Sequence, residues 1–395
     1  MIPDNFRFCS AIFLLINCNI HRKLSLTSSE NKPSNERGNH IIQLDGLRFI
    51  AVSTILTAHW FQWQWSNPVF KNLPLVHGVN LFFVLSGFLI SDILLSNRKK
   101  AEVNKLSGSH ILKRFYIRRI LRIFPVYYLF IGGLYVFDYA NTRELFPWLI
   151  SYTSNIYQSI KGVSIGEFNH FWSLAVEEQF YLVWPFLVLF VSRSLLKWAI
   201  GLVILLSLST KVYFYWEGFN WMANSYSTLT CMHLFGLGAF LALLKQEHPK
   251  ICNAFSNPLL VWVTIFIYAA FFTLQTFFKW DSIKVIFDDF LFGICSFFII
   301  SVASENKFRG LSRAILENPV VVRIGKISYG MYIVHLFIPS FYCYLIPKFN
   351  VTIYNPWIIF LVMYGLTFSI ASLSWELIEK PINRLKSKFE YTSST

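Results

Sequence analysis

The sequence predicts an all-α, polytopic integral membrane protein of about ten transmembrane helices with both termini cytoplasmic. Three observations predict it. The 395 residues are 55% hydrophobic and only 14% charged, whereas soluble domains are about 25% charged. The apolar residues fall in long blocks such as "LFFVLSGFLISDILL" and "LVILLSLSTKVYFYW", each of bilayer-spanning character. The basic residues lie in short clusters between those blocks, the distribution that holds cytoplasmic loops inside.

A span needs roughly 20 mostly apolar residues, and ten segments qualify: 48–66, 77–95, 120–138, 174–192, 197–215, 228–245, 258–278, 285–304, 327–347 and 355–376. With the amino terminus inside, 28 Lys and Arg fall on the inner side. The outer side holds 7: Lys71, Arg143, Lys161, Lys211, Lys279, Lys284 and Lys348. That asymmetry supports an even span count with both termini inside. Residues 1–40 form an N-terminal extension, an interfacial apolar stretch followed by the polar, disordered "SLTSSENKPSNERGN". The transmembrane domain covers 41–386, and 387–395 form a short cytoplasmic tail. The formal charge of +14 comes without a groove-facing basic stripe, which argues against nucleic acid as a partner and for the lipid bilayer. Six scattered cysteines show no metal spacing and no disulfide framework.

Ionisable side chains inside spans are costly and mark function. In "LDGLRFIAVSTILTAHW", Arg48 and His59 stand eleven residues apart, about three turns, which sets them on one helix face roughly 16 Å apart. Imidazole suits general-base work near neutral pH. Arg48 also reads as an inner-face anchor, and His59 as an interhelical hydrogen-bonding group. "KRFYIRRILRIFP" carries Arg118, Arg119 and Arg122, a guanidinium fork suited to phosphate or to anionic lipid headgroups; Pro125 kinks the span that follows. "NHFWSLAVEEQFYLVWP" carries Glu177 and Glu178 on different helix faces, with Tyr181 one turn beyond Glu177. A carboxylate there is a functional group or a counter-ion to an arginine. Ser86 and Gly87 in mid-span allow close helix packing or close approach to a ligand. His335 reads as a second intramembrane histidine and Glu379 as an inner-face carboxylate. Asp288 and Asp289 face water at the outer end of the eighth span, and His233 stays open.

Together, and in this order, these motifs resemble the acyltransferase 3 family of polytopic membrane enzymes. Arg48 and His59 match its R-X10-H signature. "GVNLFFVLSGFLI" looks like its second-span motif, with Asn80 in place of the usual Asp, and "RRILRIFPVYY" is similar to its arginine motif. "FWSLAVEEQFYLVWP" matches its W-S-L-x-x-E stretch, and "ISYGMYIVH" and "WELIEKPI" its closing spans. The resemblance runs from Gln43 to Leu385 and implies transfer of an acyl group, usually acetyl, from acyl-CoA to a carbohydrate hydroxyl. Acceptors of that class include lipopolysaccharide, O-antigen and exopolysaccharide precursors, and some small glycosides. In this reading His59 is the general base, Glu177 holds its imidazole, and Arg118, Arg119 and Arg122, with Arg48, hold the donor's phosphates. Ser86, Trp172, Glu178, Tyr181 and His335 are candidates for the oxyanion or acceptor site. No metal is expected, and the location is the inner membrane of a bacterium. A proton-coupled transporter is the alternative, but no internal repeat supports it.

Overall fold

The computed structural model describes residues 40–64, 73–278, 281–349 and 353–391. Among these the protein is helical throughout and contains no strand. This follows from the solvent: in hydrocarbon each backbone N–H and C=O must find its partner within the segment.

The long helices are α1 (Ile42–Thr57), α2 (Gly78–Val103), α3 (Gly108–Val136), α4 (Phe171–Phe190), α5 (Arg193–Trp216), α6 (Thr228–Glu247), α7 (Pro258–Phe278) and α8 (Asp281–Ser304). The short pair α9 (Ser328–Val334) and α10 (Ile338–Leu345) follows, then α11 (Pro356–Ser374). Local chemistry sets several ends. Ser107 caps α3 by accepting from the His110 N–H at 3.3 Å. Asn355 caps α11 from the Trp357 N–H at 2.9 Å, with Pro356 in the first turn. Arg98 of α2 donates to the carbonyls of Val188 and Val191, both at 2.7 Å, closing the end of α4.

Helices α2, α4 and α6 form the centre. Gly87 lies against the backbone of Phe235, and Gly238 against the backbone of Val84 and Phe88, so α2 and α6 meet at backbone distance through two glycines. Phe235 stacks on Phe83 (4.6 Å) and Phe180 (4.2 Å), joining all three helices, and Trp184 donates to Ser91 at 2.8 Å. Helices α5 and α7 carry the outward apolar surface, with Trp198 70% and Phe266 74% exposed, the reverse of a soluble exterior. At the basic end Gln43 donates to Glu317 at 2.8 Å. That bond and the Arg313 guanidinium hold the Glu317 carboxyl below its ordinary range.

Of the ten expected spans, eight match helices among the described residues that are long and apolar enough to cross a membrane, or nine if the bent pair α9 and α10 counts as one. The first expected span differs: α1 has 16 residues and passes directly into a π-helical segment, Ala58–Gln64. The ninth is broken at residues 335–337, with a 67° bend. Pro339 explains the break, because proline lacks the N–H that would bond to the carbonyl of His335 and its ring clashes there. By contrast α3 continues through Pro125, and it starts a dozen residues earlier than expected because its first turns are amphipathic. Lys211, assigned from sequence to an outer loop, is inside α5 and 2% exposed. Asp288 and Asp289 do not simply face water but pair with buried groups. The N-terminal extension before residue 40, Lys71 and Lys279 lie outside the described residues.

Candidate active site

The break between α9 and α10 organises the site. A helix end buried in a membrane leaves carbonyls without partners, and here side chains supply the donors. His335 Nδ1 bonds to the Tyr332 carbonyl at 2.7 Å, His170 Nε2 to the Ile333 carbonyl at 3.1 Å, and Trp60 Nε1 to the His335 carbonyl at 3.2 Å. A carbonyl only accepts, so each of these nitrogens carries a proton. The Nε2 of His335 therefore holds a lone pair. It lies 2.9 Å from Nδ1 of His59, which must donate to it. The basic nitrogen of His59 is then Nε2. His59 follows the α-to-π transition by one residue, and such transitions recur at functional sites.

Two cavities flank this network. The first, about 200 Å³, lies toward the basic end and is lined by Arg48, Arg119, Arg122, Lys326, Glu177 and Glu178, among others. Ser86 and Tyr181 both donate to Glu177, the latter at 2.5 Å, and the Arg119 guanidinium lies over the Tyr181 ring at 5.2 Å. Arg48 donates to the buried Asp45. Among the described residues neither Arg119 nor Arg122 forms an ion pair with a carboxylate. Four cations against two carboxylates make this cavity suited to an anion.

The second cavity, about 180 Å³, lies toward the other end and holds His59, His77, Asn80, Trp172, Tyr226 and Asp289. Val79 and Tyr332 line both cavities. The Tyr332 hydroxyl sits 2.6 Å from that of Ser173 and 3.1 Å from the His170 carbonyl.

The expected residues thus divide. Arg48, Arg119, Arg122, Ser86, Glu177, Glu178 and Tyr181 share one cavity; His59 and Trp172 belong to the other; His335 joins His59 from behind. Two expectations change. Arg118 faces the C-terminal segment, donating to the carbonyls of Lys386 (2.9 Å) and Phe389 (3.3 Å) with Tyr391 under its guanidinium at 5.2 Å. The described partner holding the His59 ring is His335, while Glu177 is engaged by Ser86 and Tyr181. The hydroxyls of Ser86 and Tyr181 point their protons at that carboxylate rather than at a developing oxyanion. Sequence reasoning passed over His170, Tyr332, Ser173 and Lys326. The first and third stand in the "NHFWSLAVEEQ" stretch and the others in "GKISYGMY", so proximity to a motif was the available signal. Among the described residues no group of three or more His, Cys, Asp or Glu is placed to hold a metal ion.

The helical bundle thus carries an arginine-lined cavity with a histidine network beyond it. The chain belongs to the acyltransferase 3 family, whose acyltransferase domain profile matches residues 41–376. It is 30% identical over 368 residues to the peptidoglycan O-acetyltransferase OatA of Listeria monocytogenes, covering 87% of this chain and 56% of that protein. It is 29% identical over 372 residues to a Staphylococcus aureus (strain COL) protein named "Putative O-acetyltransferase", covering 87% and 58%. The chain therefore spans somewhat over half the length of the curated relatives it matches. No solved structure matches it.

Proposed function

We propose that the protein moves an acyl group, acetyl as in the names of its relatives, from acyl-CoA to a hydroxyl of a carbohydrate. The observation that carries this reading is the pair of cavities meeting at Val79 and Tyr332, one cationic and one containing His59. Arg119 and Arg122, with Arg48 and Lys326 nearby, hold the phosphates of the donor. The thioester reaches the shared wall, and the acceptor sugar lies in the opposite cavity.

His59 Nε2 takes the acceptor hydroxyl proton as the oxygen attacks the thioester carbon. The tetrahedral intermediate collapses, the carbon–sulfur bond breaks, and the proton passes to the departing thiolate, so ester and free CoA thiol are the only products. His335 accepts from His59 Nδ1 and stabilises the imidazolium, the part a carboxylate plays in hydrolase triads. Glu177 acts at the donor end by fixing Ser86 and Tyr181, and through Tyr181 the position of Arg119. Glu178 supplies a second carboxylate to the donor cavity.

The excess of Lys and Arg at one end supports a cytoplasmic position for that end and, with an even number of spans, for both termini. The bacterial relatives support the cytoplasmic membrane of a bacterium as the location. The peptidoglycan acceptor in the name of the Listeria relative favours a surface polysaccharide or its lipid-linked precursor. A small glycoside would use the same chemistry.

The test is the ester content of surface glycans, by NMR, in cells lacking the protein and re-supplied with wild type or His59→Ala. A base-labile acetyl signal restored by wild type and reduced at least about 10²-fold with His59→Ala supports the reading. Equal signals from both forms would remove His59 from the chemistry. Absence of any wild-type-dependent ester, together with absence of CoA release from acetyl-CoA in purified membranes, would overturn the transferase reading.

A further inference from the structure

We infer that the cavity containing His59 is a sugar subsite selective for uncharged rings, and that Asp289, fixed by the buried Lys211, is its discriminating residue. This rests on the transferase reading for the identity of the cavity, but its evidence is the rest of the cavity lining.

One side of that lining is aromatic. Trp172 stacks on Tyr226 with centroids 4.2 Å apart and planes 10° from parallel, and Trp221 meets Tyr226 edge-on at 5.3 Å. Broad aromatic surface with a few placed polar groups is the make-up of a small-molecule site, and it fits the apolar C–H face of a pyranose.

The other side is a fixed polar network. Lys211 donates to Asp289 Oδ2 at 2.7 Å, and Asn80 Nδ2 donates to Asp289 Oδ1 at 3.0 Å. The same amide nitrogen lies 2.9 Å from His77 Nδ1. Only an N–H can donate to a carboxylate, so the orientation of the Asn80 amide is determined. His77 Nε2 donates to Asp288 at 3.2 Å, and its Nδ1 also lies 3.6 Å from Asp289 Oδ1. Tyr268 donates to the other oxygen of Asp288 at 3.1 Å.

The position of the cation decides the selectivity. Asp289 lines the cavity, and no positively charged side chain does so among the described residues. Lys211 is 2% exposed and lies behind the carboxylate. A uronic acid entering here would meet a like charge, which costs an interface heavily. A neutral sugar would offer hydroxyls to Asp289 and Asn80. The arginine-lined cavity has the opposite polarity, so the two substrates are sorted by charge.

Binding and transfer are to be measured separately on the purified full-length protein in lipid nanodiscs. The probes are β-1,4-linked tetramers of glucose, N-acetylglucosamine and glucuronate. Intrinsic tryptophan fluorescence reports binding, and release of CoA from acetyl-CoA reports transfer. At least one neutral tetramer should bind about tenfold or more tightly than the glucuronate tetramer at pH 7. In the double variant Lys211→Met with Asp289→Asn, which removes both charges of the pair together, that preference should shrink while the KM for acetyl-CoA stays unchanged. Equal binding of glucuronate and neutral tetramers, failure of every tetramer to bind, or an unaltered preference in the double variant would each overturn the subsite. Neutral-selective binding without CoA release would leave the subsite standing and remove the transferase reading instead.

Discussion

Tyr332 shows how much one residue can hold in place. Its carbonyl accepts from His335, its hydroxyl meets Ser173, and its ring forms part of the wall between the cavities. Through His335 it also fixes which nitrogen of His59 is basic. His335→Asn should therefore lower kcat about 10²-fold with little change in the KM for acetyl-CoA. Turnover at varied donor concentration separates that result from general damage, which would raise KM as well. His59 was legible in the sequence because an imidazole in an apolar run stands out. Its partner was visible only as another such imidazole, since nothing local joins residues 276 positions apart. His170 was hidden at the edge of a predicted span. Pro339 was in plain view, but reading 327–347 as one span ignored it, and with it the break that gives these histidines their roles.

At the scale of elements, hydropathy located most spans well. The segment 258–278 coincides with α7, and 228–245 falls within α6. The misses came where the pattern changes character: α3 begins as a polar-faced helix, and α1 changes pitch at Ala58. Ser86 and Gly87 were read as packing or ligand positions, and the structure divides those parts between them. Ser86 serves Glu177, while Gly87 lets α2 touch the backbone of α6. Gly87→Val should destabilise the protein by about 1–3 kcal/mol, seen as earlier thermal unfolding in detergent. Gly201→Ala, where an added Cβ meets nothing within 4 Å, should not lower the transition and serves as the control.

For the molecule as a whole, basic residues gathered at one end gave a direction to the bundle, and the two cavities follow that direction. What could not be read from the sequence was their separation. The sequence spacing set Arg48 and His59 on one helix face, whereas they line different chambers divided near Val79 and Tyr332. That thin septum has an electrical consequence. In an energised membrane the voltage falls across the layer that excludes water and ions. Two chambers lined by ionisable groups, if they admit water, compress that layer from a hydrocarbon thickness of about 30 Å to the vicinity of a few side chains. A proton travelling from His59 to a thiolate on the cytoplasmic side would cross much of the drop. Each charge gains about 2.3 kcal/mol per 100 mV, and an interior-negative potential favours the inward direction. Turnover in sealed vesicles should accordingly slow when an ionophore collapses the potential, and a rate indifferent to voltage would place the proton's route outside the septum.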